Sequence, residues 1–227
     1  EDTQFTFDKT ESRHIVKVLR KKDGDTLYIT NGKNQLFTVE ILFANDKKCL
    51  VNIIDLEEKS KPWNYYLHVA IAPTKNNDRL EWFLEKATEI GIDEITPIIC
   101  DNSERKVLKT ERLQKIVQSA MKQSLKFTLP KLNEPIKFSQ YVSTSFKGLK
   151  YIAHCEEQDK KTFAKEVLPN ANVLVFIGPE GDFSTNEIKT ALTNNFIPVT
   201  LGESRLRTET AGIVATQTVA LINEMNS

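Results

Sequence analysis

NVLVFIGPEGDFSTNE, Asn172 to Glu187, decides the fold. Val173 to Ile177 are apolar without interruption. A strand with one face in water alternates apolar and polar residues. An unbroken run marks a strand covered on both faces, as in a parallel sheet flanked by helices. Gly178-Pro179-Glu180-Gly181 then makes a tight turn, with glycine for close backbone approach and proline for stiffness. Ser184 and Glu187 stand at the spacing of a capping box, which opens a helix to about Asn194. Buried strand, turn and helix in succession make one unit of an α/β fold.

The same alternation extends both ways from this stretch. YLHVAIA (Tyr66 to Ala72), EITPIIC (Glu94 to Cys100), LKYIAH (Leu149 to His154) and FIPVTLG (Phe196 to Gly202) read as four further strands. Asn77 or Asp78 is the expected cap of a helix to Ile90, with Leu80, Phe83, Leu84, Ala87 and Ile90 on one face and Gly91 ending it. Thr110 to Ser124 is a helix striped by Leu113, Ile116, Val117 and Ala120. Thr208 or Thr210 is the expected cap of a last helix to about Met225. That helix is apolar nearly all round, so it calls for cover on a second side, plausibly from another subunit. Five strands alternating with helices imply a mostly parallel sheet, whose ligands sit at the carboxyl ends of the strands.

Before Pro62 the pattern differs. Ser12 to Arg20 is a short helix or strand. Asp23-Gly24-Asp25, Asn31-Gly32 and Asn45-Asp46 are turns between β-rich segments, and Asn31-Gly32 is a hairpin signal. Short strands with tight turns predict a small β-barrel over residues 1–62, joined by the charged linker Glu57 to Pro62 to an α/β domain over 65–227.

Composition narrows the classes. A 40% hydrophobic, 27% charged chain of 227 residues can bury a real core, and no apolar run is long enough to span a membrane. The acidic, polar start EDTQFTFDK is not the pattern of a signal peptide. Cys49, Cys100 and Cys155 are odd in number and far apart, and His14, His68 and His154 are isolated. Neither a disulfide framework nor a metal site is expected, and a cytoplasmic location fits best. The formal net charge is zero, yet His14 to Lys22 holds four Lys or Arg and no acid, and Asp101 to Lys137 holds nine against four acids. Such local excess can steer an anionic polymer to one face, or be a solvated surface.

Two glycine-bearing loops therefore follow consecutive strands. Ile177 to Ser184 lacks the spacing of a phosphate-binding glycine loop, and Glu180 and Asp182 would repel a phosphate, so a neutral or cationic ligand suits it better. LGESRLRTETAG, Leu201 to Gly212, adds Arg205, Arg207 and Glu209 to small residues. Each loop alone could be a plain connection. Together they would wall a pocket.

FIGPEGDFSTNEI followed by LGESRLRTETA resembles the ribosomal RNA small subunit methyltransferase E family, of the SPOUT superfamily of S-adenosylmethionine-dependent RNA methyltransferases. The family pattern is roughly I-G-P-E-G-G-F-S-x-x-E and L-G-x-R-I-L-R-x-E-T-A. RHIVKVLRKKDGD, RLEWFLEKATEIGIDEITP and the Gln-Ser of SAMKQSLKFTLP match as well, so the resemblance spans essentially the whole chain. Asp182 stands where the family usually has a second glycine, which questions the geometry of this turn. Ser204-Arg205-Leu206 reads as replacing x-Arg-Ile.

The resemblance implies a SPOUT-type parallel sheet with a C-terminal trefoil knot, a PUA-like N-terminal β-barrel, and a homodimer. It implies transfer of a methyl group from S-adenosylmethionine to N3 of a uridine (uridine 1498 in standard ribosomal RNA numbering) in 16S ribosomal RNA of the small subunit, without a metal. The cofactor would lie against Ile177, Gly178, Pro179, Glu180, Gly181, Leu201, Gly202, Leu206 and Thr210. Arg205, Arg207 and Glu209 are the candidate catalytic residues, as cations beside the uracil oxygens or as a base. RNA contacts are expected from Arg13, Lys17, Arg20, Lys21 and Lys22, and from Arg105, Lys106, Lys122, Gln123 and Lys126. Trp63 and Trp82 read as packing residues, and His14 and His154 as non-catalytic. The rival readings are a non-catalytic RNA-binding module and a nucleotide-binding metabolic enzyme.

Overall fold

The computed structural model describes residues 3–157 and 159–227, so Glu1 and Asp2 of the acidic start lie outside the described residues. The chain divides into two units, Glu1–Lys61 with Lys126–Thr128, and Pro62–Leu125 with Leu129–Ser227.

The first unit is built on an antiparallel sheet. Strand β1 (Gln4–Thr6) leads into helix α1 (Lys9–Arg13), capped by the Asp8 carboxylate and continued by a π-turn from His14 to Val18. Strands β2 (Thr26–Thr30), β3 (Gln35–Phe43) and β4 (Leu50–Glu58) follow, and the order is β1-β4-β3-β2. A hairpin forms at Asn31-Gly32, through the four residues from Asn31 to Asn34 rather than a two-residue turn, with Gly32 and Asn34 at positive φ. Ile15, Leu27, Val39, Ile41, Cys49 and Val51 make its core, and Ile15 is the contribution of the helical segment.

The second unit is α/β. In chain order come β5 (Tyr66–Ile71), α2 (Asn77–Ile90), β6 (Glu94–Ile99), α3 (Thr110–Gln123), β7 (Lys131–Leu132), β8 (Ile136–Lys137) and α4 (Phe138–Tyr141). Then follow β9 (Leu149–Ala153), β10 (Lys161–Thr162), α5 (Phe163–Glu166), β11 (Asn172–Ile177), α6 (Thr185–Thr193), β12 (Ile197–Thr200) and α7 (Thr208–Glu224). The sheet runs β10-β12-β9-β11-β5-β6-β7 with β8 also on β6, and its pairings are parallel. The five strands read from the sequence are its centre. The two-residue strands β7, β8 and β10 are too short to leave a periodicity.

The unbroken apolar run in β11 has the expected cause. Val173, Val175 and Ile177 enter one core with Phe83 and Leu84 of α2, Val117 of α3 and Ala215 and Val219 of α7. Leu174 and Phe176 enter the opposite core with Phe138 of α4 and Ile188 and Ala191 of α6. Each such side chain, fully buried, contributes about 1.5–3 kcal/mol at most, so Leu174→Ala alone would cost about 2–5 kcal/mol.

Several local readings are corrected. The cap of α2 is Asn76, whose side chain accepts from the Asp78 N–H, not Asn77 or Asp78. The last helix has no side-chain cap: its N-cap is Arg207, whose side chain has no acceptor, and Thr208 stands one position inside with its hydroxyl on the Gly178 carbonyl. Trp63 packs on the main core and its indole donates to Asp93, but Trp82 is 45% exposed on the outer face of α2. Within the chain α7 buries one face, through Gly212, Ala215, Thr216 and Val219, and leaves Leu221 and Met225 exposed.

Candidate active site

The strands β12, β9 and β11 lie side by side and parallel, so their carboxyl ends meet at one edge. A cleft of about 320 Å³ opens there. Its walls are Ala153 at the end of β9 and Cys155 beyond it, Ile177 at the end of β11 with Gly178 to Glu180 and Asp182 beyond it, and Arg205 to Thr208 with Ala211 at the start of α7. Two of these walls were legible as glycine-bearing loops. The third was not, because nothing local marks β9 as the strand between β11 and β12.

The turn after β11 is tied to the segments after β5, β6 and β9 and to the start of α7. The Lys75 N–H after β5 donates to Glu180 Oε1 at 2.9 Å. Asn102 Nδ2 after β6 donates to the carbonyls of Gly181 and Asp182, each at 3.1 Å. The Cys155 N–H donates to Asp182 Oδ2 at 2.7 Å, and the Thr208 hydroxyl donates to the Gly178 carbonyl at 3.0 Å. Glu187, buried in the first turn of α6, accepts from the N–H groups of Asp101 and Ser184, and burial raises its pKa. Gly178 is tightly fitted: a Cβ there would stand 3.0 Å from the buried Phe183 ring, which would have to give by a few tenths of an ångström.

Asp182 answers the question its identity raised. Its φ is +64°, a left-handed conformation natural to glycine and tolerated by Asp. The turn keeps that shape without glycine, and the carboxylate caps the N–H groups of Phe183 and Cys155.

Of the expected cofactor contacts, Ile177, Gly178, Pro179, Glu180 and Leu206 line the cleft, whereas Gly181, Leu201, Gly202 and Thr210 do not. Gly181 is covered by Asn102, and Leu201 packs on the core below. Of the expected catalytic residues, Arg205 and Arg207 stand exposed at the rim. Glu209 does not reach the cleft. Thr208 and Ala211 share the cleft face of α7, and Glu209, one position on from Thr208, turns about 100° away. It is buried and lies 3.7 Å from Arg79 Nε of α2, with Oε2 unpartnered among the described residues. Arg79, not Arg205 or Arg207, is the arginine it meets, and no sequence signal pairs positions so distant. Counted residue by residue, L-G-x-R-I-L-R sets its last two positions on Leu206 and Arg207, and its first Arg and its Ile on Ser204 and Arg205. Arg207 is thus the arginine the chain shares with that pattern.

The basic residues separate similarly. In the first unit Arg13, Lys17, Arg20 and Lys22 are exposed, and a hollow of about 540 Å³ is lined by Val16, Arg20, Lys21, Lys22, Asp23 and Ala44. Lys17 lies 3.9 Å from Asp46, and Lys21 donates to the Thr26 carbonyl. In the second unit Gln123 and Lys106 are exposed. Arg105, half-buried, also has a partner within the chain. Its Nη2 and Nε donate to the Lys75 carbonyl at 2.7 and 3.2 Å, so it braces the loop that holds Glu180.

A buried polar cluster joins β5 and β6 away from the cleft. Glu94 accepts from Tyr66, from Asn133 Nδ2 at 2.6 Å and from Lys131 at 2.9 Å, while His68 meets Thr96 at 2.7 Å and the Tyr141 hydroxyl at 3.2 Å. Burial opposes the Glu94 charge, but the hydrogen bonds from Tyr66 and Asn133 and the neighbouring His68 and Lys131 outweigh it and bring its pKa to about 2. Burial lowers the His68 pKa to about 4 against the pull of Glu94, so the ring is neutral. His154, also buried, is shifted down by burial and by Lys160, and His14 is exposed. Among the described residues no group of three or more His, Cys, Asp or Glu is arranged to hold a metal ion, and no helix is long and apolar enough to cross a membrane.

Comparison with known proteins agrees with this architecture. A family model described as an RNA methyltransferase domain matches residues 61–220, and one described as an RNA methyltransferase PUA domain matches residues 7–54. The ribosomal RNA small subunit methyltransferase E of Rickettsia conorii is 31% identical over 92% of this chain and 86% of its own length. That of Buchnera aphidicola from Acyrthosiphon pisum is 30% identical over 93% and 86%. A solved Porphyromonas gingivalis protein described as a probable rRNA-methyltransferase is 41% identical, with a TM-score of 0.93 over 98% of this chain and 94% of its own. A Legionella pneumophila methyltransferase solved with its bound cofactor S-adenosylmethionine is 30% identical, with a TM-score of 0.87 over 96% and 91%.

Proposed function

The chain belongs to the ribosomal RNA small subunit methyltransferase E family, and from that premise we propose that it methylates N3 of a specific uridine, uridine 1498 in standard numbering, in 16S ribosomal RNA. The observation that carries this reading is the cleft at the joined carboxyl ends of β9, β11 and β12.

The cleft fits S-adenosylmethionine. Its volume is in the small-ligand range, and its walls offer backbone at Gly178 and Pro179, small side chains at Ala153 and Ala211, and apolar contact from Ile177 and Leu206. When bound, the cofactor supplies an electrophilic methyl group on a sulfonium. This chain's residues must then orient the acceptor and deal with charge. Uridine N3 carries a proton, and its loss leaves negative charge on the ring and on O2 and O4. Arg207 and Arg205 at the rim place cations where that charge develops, before it develops, which is the condition for transition-state stabilisation. Holding nitrogen in line with the methyl group supplies a further share of the acceleration. With Glu209 turned toward Arg79, its part is to support the helix start, and the proton goes to water.

The PUA-like unit, with Arg13, Lys17, Arg20 and Lys22 exposed, is the proposed RNA-holding unit, aided by Lys106 and Gln123. The partly exposed apolar side chains of α7, Ile213, Val214 and Leu221, are proposed to meet a second copy in a homodimer. The work would take place in the cytoplasm, where ribosomal subunits are.

The test is labelled methyl transfer to small-subunit particles from a strain lacking the enzyme, with mapping of the modified base. Methylation at N3 of one uridine supports the reading. Tight S-adenosylmethionine binding with no transfer to RNA would reject it. Arg207→Ala should lower the rate by about 10²-fold or more. Normal rates in both Arg205→Ala and Arg207→Ala would reject the arginine role.

A further inference from the structure

The geometry points to Asp182 as a positioning residue of the cleft, acting through the Cys155 N–H. This rests on the reading of the cleft as the cofactor site. Asp182 and Cys155 both line the cleft, on walls contributed by different strands, β11 and β9. Beyond the β9–β11 pairing, which ends at Ala153 and Ile177, the Cys155 N–H donates to Asp182 Oδ2 at 2.7 Å and joins those walls through a side chain. The other carboxylate oxygen accepts from Phe183 N–H at 2.9 Å, and the Asp182 N–H donates to Pro179 at 2.9 Å. The carboxylate is therefore held at both oxygens, and its direction is set by the turn. Charge-assisted acceptance from an amide is among the stronger neutral-to-ionic contacts.

The backbone makes the assignment specific. At φ +64° any L-residue is less comfortable than glycine. Backbone conformation alone would favour glycine here. What Asp adds over glycine is a carboxylate that accepts from the N–H groups of Cys155 and Phe183, and the Cys155 bond reaches the other cleft wall. Replacement by glycine relaxes the turn but removes both acceptances, and these offset each other in stability, so it should weaken ligand binding with little change in stability. A merely structural residue would move them together.

The experiment uses the full chain and three variants, Asp182→Gly, Asp182→Asn and Asp182→Ala, with S-adenosylmethionine as probe. Melting temperature, S-adenosylmethionine Kd by calorimetry and hydrogen exchange at the Cys155 amide are measured on each. Asp182→Gly should change the melting temperature little, weaken binding about fivefold and speed exchange at Cys155. Asp182→Asn keeps an acceptor oxygen and should stay within about twofold of the parent Kd. Asp182→Ala should lose both stability and affinity. Unchanged affinity and exchange in Asp182→Gly would overturn the assignment. So would an Asp182→Asn variant as weak as Asp182→Gly, which would show that the charge acts on the ligand directly. If the parent binds no S-adenosylmethionine, the functional reading fails, and exchange at Cys155 still decides whether Asp182 holds that amide.

Discussion

The Thr208 hydroxyl donates to the Gly178 carbonyl at 3.0 Å, so the first residue of the last helix holds the turn that follows β11. Both residues line the cleft, and both are buried. Thr208→Val keeps the shape and removes the donor, leaving a buried carbonyl unpaired. It should cost about 1–3 kcal/mol in urea unfolding and weaken S-adenosylmethionine binding, while Thr208→Ser restores both. Equal stability of Thr208→Val and the parent would show that the bond does not hold the turn.

Gly212→Ala sets two effects against each other. Alanine in a helix gains up to about 1 kcal/mol over glycine. At Gly212 the added Cβ would stand 2.6 Å from the Phe83 ring and 3.0 Å from Ile71 Cδ1, where α7 meets α2 and β5. Phe83 is fully buried and has nowhere to move, and overpacking costs about 1–3 kcal/mol. Net destabilisation of about 1–2 kcal/mol is expected by chemical denaturation. A gain in stability would mean that the helix interface yields.

Charge reversal at Arg20 and Lys22 should weaken binding of a 16S ribosomal RNA fragment and leave S-adenosylmethionine binding intact. Lys22 is chosen over Lys21 because the Lys21 ammonium already donates to the Thr26 carbonyl. If both side chains meet phosphates, the slope of log affinity against log salt should shrink by about two. An unchanged slope would remove this surface from the RNA-binding face.

Acid stability should depend on the cluster between β5 and β6. The His68 pKa is lowered to about 4 in the fold from 6.5, so between those values the unfolded chain binds the extra proton. Stability is therefore full above pH 6.5 and falls as pH drops toward 4, by at most about 3 kcal/mol. Glu94, lowered from 4.5 to about 2, extends the loss below pH 4.5. His68→Gln should flatten the melting temperature profile between pH 6.5 and 4. An unaltered profile would place the acid sensitivity elsewhere.

Local pattern carried much of this fold. The run Val173 to Ile177 demanded cover on both faces, and two cores supply it. Ser184 and Glu187 demanded a helix start, and the capping box is complete. The two glycine-bearing loops shared a sheet edge because parallel strands put all their carboxyl ends on one side. Trp82 was misread because an aromatic residue on an amphipathic helix looks like core unless its exact phase is known.

The sequence by itself determined the five central strands and the helices α2, α3, α6 and α7, where the tight turns fall and which loops could face a ligand. Those properties depend on residues within one turn or one strand of each other. Only the tertiary structure decided that β9 lies between β11 and β12, that Cys155 faces Asp182, that Glu209 turns to Arg79 and that Arg105 braces Lys75. Those partners are far apart in the chain, and their meeting depends on strand order and helix phase. Neither is written in local periodicity.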